Sequence, residues 1–391
     1  MVNQEINRTR TGLNIVQNFA GSLVVTTIGD GAFMDNYVAA FEEEGVLEQV
    51  TFLVIPDRKT PAGLFERCKH LRRRGANIVC PTLDEQDAYL ARRGLADLIL
   101  YDSDHRRNVG FLMAIENESD FMISIDDDNL CREGSRFFRE HAVVRSESED
   151  SEAVHSSTGW FNICDLLDLE PGNVYPRGFP YRFRMQPTET RFGPEKGPVH
   201  LNAGLWLQEP DLDAITWLAN PTRATAFHGR SVLLGRDTWS PVNTQNTALH
   251  SDAIVAFYFV RMGRSVGGMR IDRYGDIFSG YFCQACVRHM GNRVRVGTPV
   301  VDHVRNKHDY LRDLTAELAC IWLIEDMAEW LRQLRLEGTT YSETYLYLAD
   351  AIEEAVEKFS GFIWDDAART YFREVSDDMR AWTAAVGTLT G

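Results

Sequence analysis

Three aspartates in a row, Asp126, Asp127 and Asp128, follow the apolar run FMIS in the stretch SIDDDNLC, residues 124–131. Neighbouring carboxylates repel one another, and a strand end offers them no partner of its own. In extended chain, residues i and i+2 point to the same side. That alternation makes Asp126 and Asp128 a pair and turns Asp127 elsewhere. Paired carboxylate oxygens suit a hard cation, Mg2+ or Mn2+, which binds through one or two carboxylates plus substrate phosphates. The plainer alternative is an acidic turn that caps a following helix, CREGSRFFREH. Its place at the end of an apolar strand favours the metal.

Four other stretches carry candidate chemistry. DHRRNVGFLMAIEN sets Arg106, Arg107 and Asn108 before a small-residue helix, and cations beside a helix N-terminus suit a diphosphate. Arg107 and Asn108 are the better candidates; the alternative is an arginine that balances the aspartates. VDHVRNKHDYLRD packs His303, Arg305, Asn306, Lys307 and His308 into six residues. His303 is a candidate third metal ligand beside the paired aspartates. NVYPRGFPYRFR fixes a loop with Pro176, Gly178 and Pro180 and puts Arg177 at its tip. The tip arginine either contacts substrate or pairs with surface acids. RIDRYGDIFSGYF places Asp276 at a helix start, as a cap, a general base or an acceptor for a sugar hydroxyl. The acids of DLLDLE (165–170) and DLDA (211–214) lack a strand-end position and read as surface charges or caps. Cys283 and Cys286 form a lone CxxC with no second pair at zinc spacing, so they read as buried helix cysteines. The motifs GxGxxG and GxxxxGK[ST] are absent, which argues against NAD and a P-loop.

The elements that must position these residues alternate. SLVVTTIGD, VTFLVIPDRKTP, ANIVCPT and DFMISIDDD read as strands, and helical spacing lies between them. That order predicts βαβ units and a mainly parallel sheet, with ligands beyond the carboxyl ends of its strands. Thr27, Asp57 and the triple Asp stand at three such ends. RSESEDSEAVHSS (145–157) reads as an acidic surface loop, and 158–300 as short strands with long functional loops. From about residue 310 the chain is helical, for a structural or oligomerising role. The expected division is a catalytic domain over 1–310 and a helical region over 311–391.

The chain has 391 residues, 44% of them hydrophobic and 25% charged, as in an ordinary globular protein. The net charge of −16 argues against a nucleic-acid partner. A local basic cleft still accommodates a phosphorylated small molecule. No apolar run is long enough for a membrane span, and the N-terminal stretch lacks the apolar core of a signal peptide. Seven cysteines without a secretion signal suggest reduced thiols. The expected location is the cytoplasm.

In order along the chain, these motifs resemble those of the reversibly glycosylated polypeptides, or UDP-arabinopyranose mutases, glycosyltransferase family 75. SIDDDN is similar to the family's acidic metal motif. YPRGFPY is similar to its arginine loop, whose arginine is reported to become glycosylated. GLWLQEPDLDA, NTQNTAL, DRYGDIFSGYF and DHVRNKHDYLRD fall in the family's order. RYGD has Gly275 where the family has a first Asp, so Asp276 alone carries over. RNKHD lacks the family's Asn-Pro-Phe, leaving Asn306 as the match. The departures look like those of a bacterial relative, among which are flavin-independent mutases of GDP-sugars in antibiotic pathways.

The resemblance implies a nucleotide-diphospho-sugar transferase (GT-A-like) α/β fold and a metal-dependent mutase of a GDP- or UDP-sugar that uses no flavin. It implies Mn2+ or Mg2+ on Asp126, Asp128 and His303. Arg177, Asp276 and Asp127 take the catalytic roles. Arg177 stabilises or captures the glycosyl group, Asp276 moves a hydroxyl proton, and Asp127 bonds a substrate hydroxyl or an arginine such as Arg177. Thr27, Asp57, Arg107, Asn108, Trp206, Asn246 and Asn306 bind substrate. The alternatives are a glycosyltransferase using the same groups and a non-catalytic sugar-nucleotide-binding subunit.

Overall fold

The computed structural model of the chain describes residues 20–147, 149–306 and 308–390. The N-terminal stretch read above for a leader lies outside the described residues, as does Lys307. The first half runs β1 (Gly21–Thr27), α1 (Phe33–Glu44), β2 (Val50–Pro56), α2 (Gly63–Arg73), β3 (Asn77–Val79), α3 (Leu83–Ala91), α4 (Arg107–Glu116) and β4 (Phe121–Ile125). The middle adds β5 (Asn129–Cys131), α5 (Phe137–His141), β6 (Glu149–Ser156), β7 (Leu167–Glu170), α6 (Tyr181–Arg184), β8 (Thr190–Gly197) and β9 (Val199–Gln208). It continues through α7 (Ala214–Ala219), β10 (Arg223–Phe227), β11 (Val232–Leu234), β12 (Asn246–His250), β13 (Ser265–Val266), β14 (Met269–Arg270), α8 (Gly275–His289) and β15 (Arg293–His303). Three helices follow: α9 (Tyr310–Gln333), α10 (Tyr341–Val356) and α11 (Asp366–Thr390).

One sheet organises the molecule, in the order β3-β2-β1-β4-β12-β9-β15-β11-β6-β8. Its first four strands are parallel, as the alternating βα pattern requires. All seven residues of β2 are buried, which explains its continuous apolar run. Helix α4 lies close on this arm because residue 110 is glycine. A Cβ there would stand 2.3 Å from Cγ1 of Val24. Beyond β4 the sheet changes character: β12 runs antiparallel to both β4 and β9, and β9 runs parallel to β15. The expected α/β sheet with a C-terminal helical region is therefore present.

Two expectations for the middle section fail. Residues 145–157 are no loop: β6 occupies most of them and pairs along its whole length with β8 at the sheet's edge. It lies between β11 and β8, where Ala153 and Val154 are buried but Ser151, Glu152 and His155 are not, so its mostly polar sequence hid the strand. The strands between 158 and 300 are not all short either, since β9 has 10 residues and β15 has 11.

The terminal helices are tied into the rest. Glu317 on α9 accepts from Arg273 Nε at 2.9 Å and from the backbone N of Ala214 at 2.8 Å. Trp382 Nε1 on α11 donates to the carbonyl of Val255 at 2.8 Å. Asp378, one turn before it, accepts from Tyr258 at 3.2 Å and from Arg261 at 3.0 Å. Cys283 and Cys286 lie buried in α8, where burial pushes both thiols up, in keeping with their reading as core residues. Among the described residues no helix is long and apolar enough to cross a membrane.

Candidate active site

The triple Asp forms the turn that leaves β4. The backbone N of Asn129 donates to the carbonyl of Asp126 at 3.2 Å, so the chain here is folded back, not extended. Asp126 and Asp128 both line one polar cavity and Asp127 does not. The split is the one alternation predicts, but a turn produces it. Asp127 Oδ2 accepts from Thr27 Oγ1 at 2.5 Å, and Arg177 bonds Asp211 and Asp276 instead of Asp127. Burial raises its carboxyl above the ordinary range, against that bond.

Asp126 faces Arg107, the first residue of α4. Nη2 of Arg107 donates to Asp126 Oδ1 at 2.5 Å, and Nη1 donates to Thr244 Oγ1 at 2.8 Å and to its carbonyl at 3.1 Å. The antiparallel pairing of β12 with β4 brings Thr244 there. Burial nevertheless raises the Asp126 carboxyl; Arg107 opposes this and Asp128 adds to it.

Asp128 faces His303. Strands β5 and β15 pair with Asn129 opposite His303, which sets the imidazole beside the turn. His303 Nδ1 lies 2.6 Å from the carbonyl of Glu209 and must donate to it, because a carbonyl only accepts. Nε2 stands 3.5 Å from Asp128 Oδ2, donating to it when the ring is charged and offering a lone pair when it is neutral. Burial works against ionising Asp128, but the bond and charge of His303 outweigh it and draw the carboxyl down.

A histidine fixed through one nitrogen by a carbonyl, with the other facing a carboxylate, is how proteins orient a metal ligand. Asp128 and His303 thus fit a hard cation. Asp126 fits only once its bond to Arg107 opens. As the side chains stand, no three His, Cys, Asp or Glu groups among the described residues converge closely enough to hold an ion.

Arg177 is the most heavily bonded side chain in the cavity. Pro176 and Gly178 make its turn, with Gly178 at φ 87°, a conformation that glycine adopts freely. Nε donates to Asp211 Oδ1 at 3.0 Å and Nη2 to Asp211 Oδ2 at 3.0 Å. Nη2 also donates to Asp276 Oδ2 at 2.6 Å, and Nη1 to Asp276 Oδ1 at 3.0 Å and to the carbonyl of Arg273. Burial alone would favour the neutral guanidine, but the two carboxylates reverse this and hold Arg177 well above its ordinary pKa. Burial likewise disfavours the Asp211 carboxylate, yet Arg177 draws it down to about 2. Asp276 stands in the first turn of α8, where the helix dipole favours a carboxylate.

Asp211 corrects the reading of DLDA as surface charge: it is buried against Arg177 and also accepts from Asn243 Nδ2 at 2.7 Å. Asp213 is the cap of α7, as expected, and pairs with Arg184 at 2.6 Å. Glu-rich and Asp-rich surface stretches look the same in sequence, and Asp211's partner lies 34 residues away. Arg273 and Arg305 also line the cavity, together with Gln245. Arg273 and Gln245 sit inside the stretches DRYGDIFSGYF and NTQNTAL, and Arg305 inside the basic cluster.

Several expected substrate contacts are structural. Asn108 is buried and closes a two-way bond with Phe259, accepting from its N at 2.9 Å and donating to its carbonyl at 3.0 Å. Asn246 donates to the carbonyls of Leu205 and Pro299 and receives His141. Trp206 is buried behind the Arg177 loop, in the wall of a smaller pocket. Asn306 is exposed and does not line the cavity. Thr27 and Asp57 stand at the expected strand ends, but they bond neighbouring loops; Asp57 Oδ1 accepts from Arg58 N at 2.6 Å. Arg106 is turned away, donating to Gln86 at 2.8 Å and lying over Tyr101.

A parallel sheet arm with acids and arginines gathered in a cleft beyond its strand ends defines the class, an α/β protein built to receive a polar, charged ligand. The chain belongs to the reversibly glycosylated polypeptide family, whose model matches residues 86–390. It is similar to probable UDP-arabinopyranose mutase 4 of Arabidopsis thaliana, 25% identical over 74% of this chain and 73% of that one. UDP-arabinopyranose mutase 1 of the same plant is 27% identical over 68% of each. Among solved structures, a glucosyl-3-phosphoglycerate synthase from Mycobacterium tuberculosis aligns over 85% of this chain and 88% of its own, at 11% identity and a TM-score of 0.40.

Proposed function

We propose that the chain is a nucleotide-sugar mutase that interconverts pyranose and furanose forms of a GDP- or UDP-linked sugar. The observation that carries the reading is Arg177 held between Asp211 and Asp276 in the cavity that also holds Asp128 and His303. The names of the similar plant proteins supply the reaction type. Asp128 and His303, joined by Asp126, are the residues that would hold Mn2+ or Mg2+. Such a cation, when bound, supplies positive charge against a departing diphosphate.

The chain's own groups account for the rest. As the bond from the anomeric carbon to the diphosphate breaks, its electron pair stays on the diphosphate, and Arg107 stands at the cavity wall to offset that charge. Arg177 keeps Asp211 and Asp276 fixed and holds Asp211 ionised, so its negative charge offsets the electron-poor sugar. The Asp276 carboxylate has about four acceptor positions and gives two of them to Arg177. The remainder accept the proton of the hydroxyl that attacks the anomeric carbon; the bond from that carbon to the old ring oxygen breaks in turn, and the proton passes to the old ring oxygen. The diphosphate then returns to the anomeric carbon. Covalent capture by Arg177 would need a neutral guanidine, which two flanking carboxylates disfavour, so its role here is electrostatic.

The test is incubation of UDP- and GDP-sugars with the chain and Mn2+, without acceptor, followed by separation of ring forms. Interconversion supports the reading. Sugar transfer to an added acceptor with no interconversion replaces it with a glycosyltransferase.

A further inference from the structure

The three other arginines that line the cavity all face carboxylates. Arg107 meets Asp126, Arg177 meets Asp211 and Asp276, and Arg273 meets Glu317 and Asp313. Arg305 differs. Among the described residues no carboxylate lies within 4.0 Å of its guanidinium, although the chain carries a net charge of −16. Its Nη1 is closed to solvent and has no hydrogen-bond partner among the described residues. An enclosed N–H left unmade is costly, and a cation without a counterion more so.

The position is nevertheless built. The backbone N of Arg305 donates to Glu209 Oε2 at 3.1 Å, two residues after His303 has bonded the carbonyl of the same Glu209. The guanidinium carbon lies 5.2 Å from the ring centre of Trp217 and 5.7 Å from that of Tyr310, and those two rings stack at 5.4 Å and 8°. Aromatic faces steady an arginine without discharging it. A fork of this kind, held in place and lacking its counterion, is matched by phosphate oxygens.

We propose that Arg305 is the residue of this chain that binds the diphosphate of the nucleotide ligand, taking the charge-assisted contacts that its own fold leaves open. Arg107, already committed to Asp126 and Thr244, is a lesser contact. The proposal rests on the nucleotide-sugar reading above and assigns its phosphate subsite.

The test is calorimetric titration of the full chain and its Arg305→Gln and Arg305→Lys variants with UDP, GDP, inorganic pyrophosphate, uridine and guanosine. We expect Arg305→Gln to bind pyrophosphate and the preferred diphosphate about tenfold more weakly or worse, the scale of a lost hydrogen bond to a charged group. Binding of the matching nucleoside should change less than twofold and the melting temperature should hold. Arg305→Lys, which keeps the charge without the fork, should fall between. Equal diphosphate affinity in wild type and both variants overturns the assignment and leaves the nucleotide-sugar reading standing. A wild-type chain that binds neither UDP nor GDP overturns both.

Discussion

Arg177 and Asp276 meet face to face, with Nη2 to Oδ2 at 2.6 Å and Nη1 to Oδ1 at 3.0 Å. Asp211 closes on the opposite edge of the same guanidinium. A planar five-donor fork can serve two carboxylates at once; an ammonium cannot. Arg177→Lys should therefore fold yet lose activity by about 10²-fold, the scale of removing a fixed transition-state donor. Arg177→Ala strands two buried carboxylates and should cost about 3–5 kcal/mol of stability. Mutase assays and denaturant melts read the two effects. Full activity in the lysine variant would rule out the double clamp as the working arrangement.

Asp128 and His303 should dominate cation affinity. Asp128→Ala and His303→Ala should each weaken Mn2+ binding by at least about tenfold, measured by paramagnetic resonance of the free ion. Asp126→Asn should weaken it less, because Asp126 must first leave Arg107. Equal losses for all three would mean that Asp126 is a full ligand from the outset.

Asp378 gives the fold a pH dependence. Burial lifts its carboxyl to about 6, with Arg261 opposing, against about 3.9 in the unfolded chain. The protonated form is thus favoured by folding. Its contribution is fully present below about pH 4 and is lost as pH rises through 6. The loss amounts to about 3 kcal/mol at most, from two pKa units at 1.36 kcal/mol each. Asp378→Asn cannot ionise, so its stability relative to wild type should rise between pH 4 and 7. Denaturant titrations across that range check the sign; a flat difference would show that Arg261 compensates the charge fully.

Gly110→Ala should destabilise by about 1–3 kcal/mol, because the new Cβ meets Val24 and α4 cannot stay on β1 without a shift. Since α4 begins at Arg107, the same change should disturb Asp126. A measured loss in stability with unaltered cation binding would separate packing from the site.

How much of this was legible in the sequence depended on where each element sits. The strands β1, β2 and β4 are buried on both faces, so their apolar runs announced them. Strand β6 is mostly polar, and its charges read as a loop. DLDA read as caps because Asp213 is one, while Asp211 beside it is the buried partner of Arg177. Asn108 and Asn246 sat inside motifs whose neighbours reach the cavity, yet their own amides are spent on backbone.

By itself the sequence determined that three carboxylates stand at a strand end, that Arg177 tips a Pro-Gly loop and that His303 comes at the end of a β-like run. These follow from local periodicity and turn chemistry, which act within a few residues. Only the tertiary structure decided the pairings: Asp126 with Arg107, Asp127 with Thr27, Asp128 with His303, and Arg177 with Asp211 and Asp276. Each partner arrives on a different element through sheet register and loop crossing. A side chain's charge is written in its own residue, but its counterion is chosen by the fold.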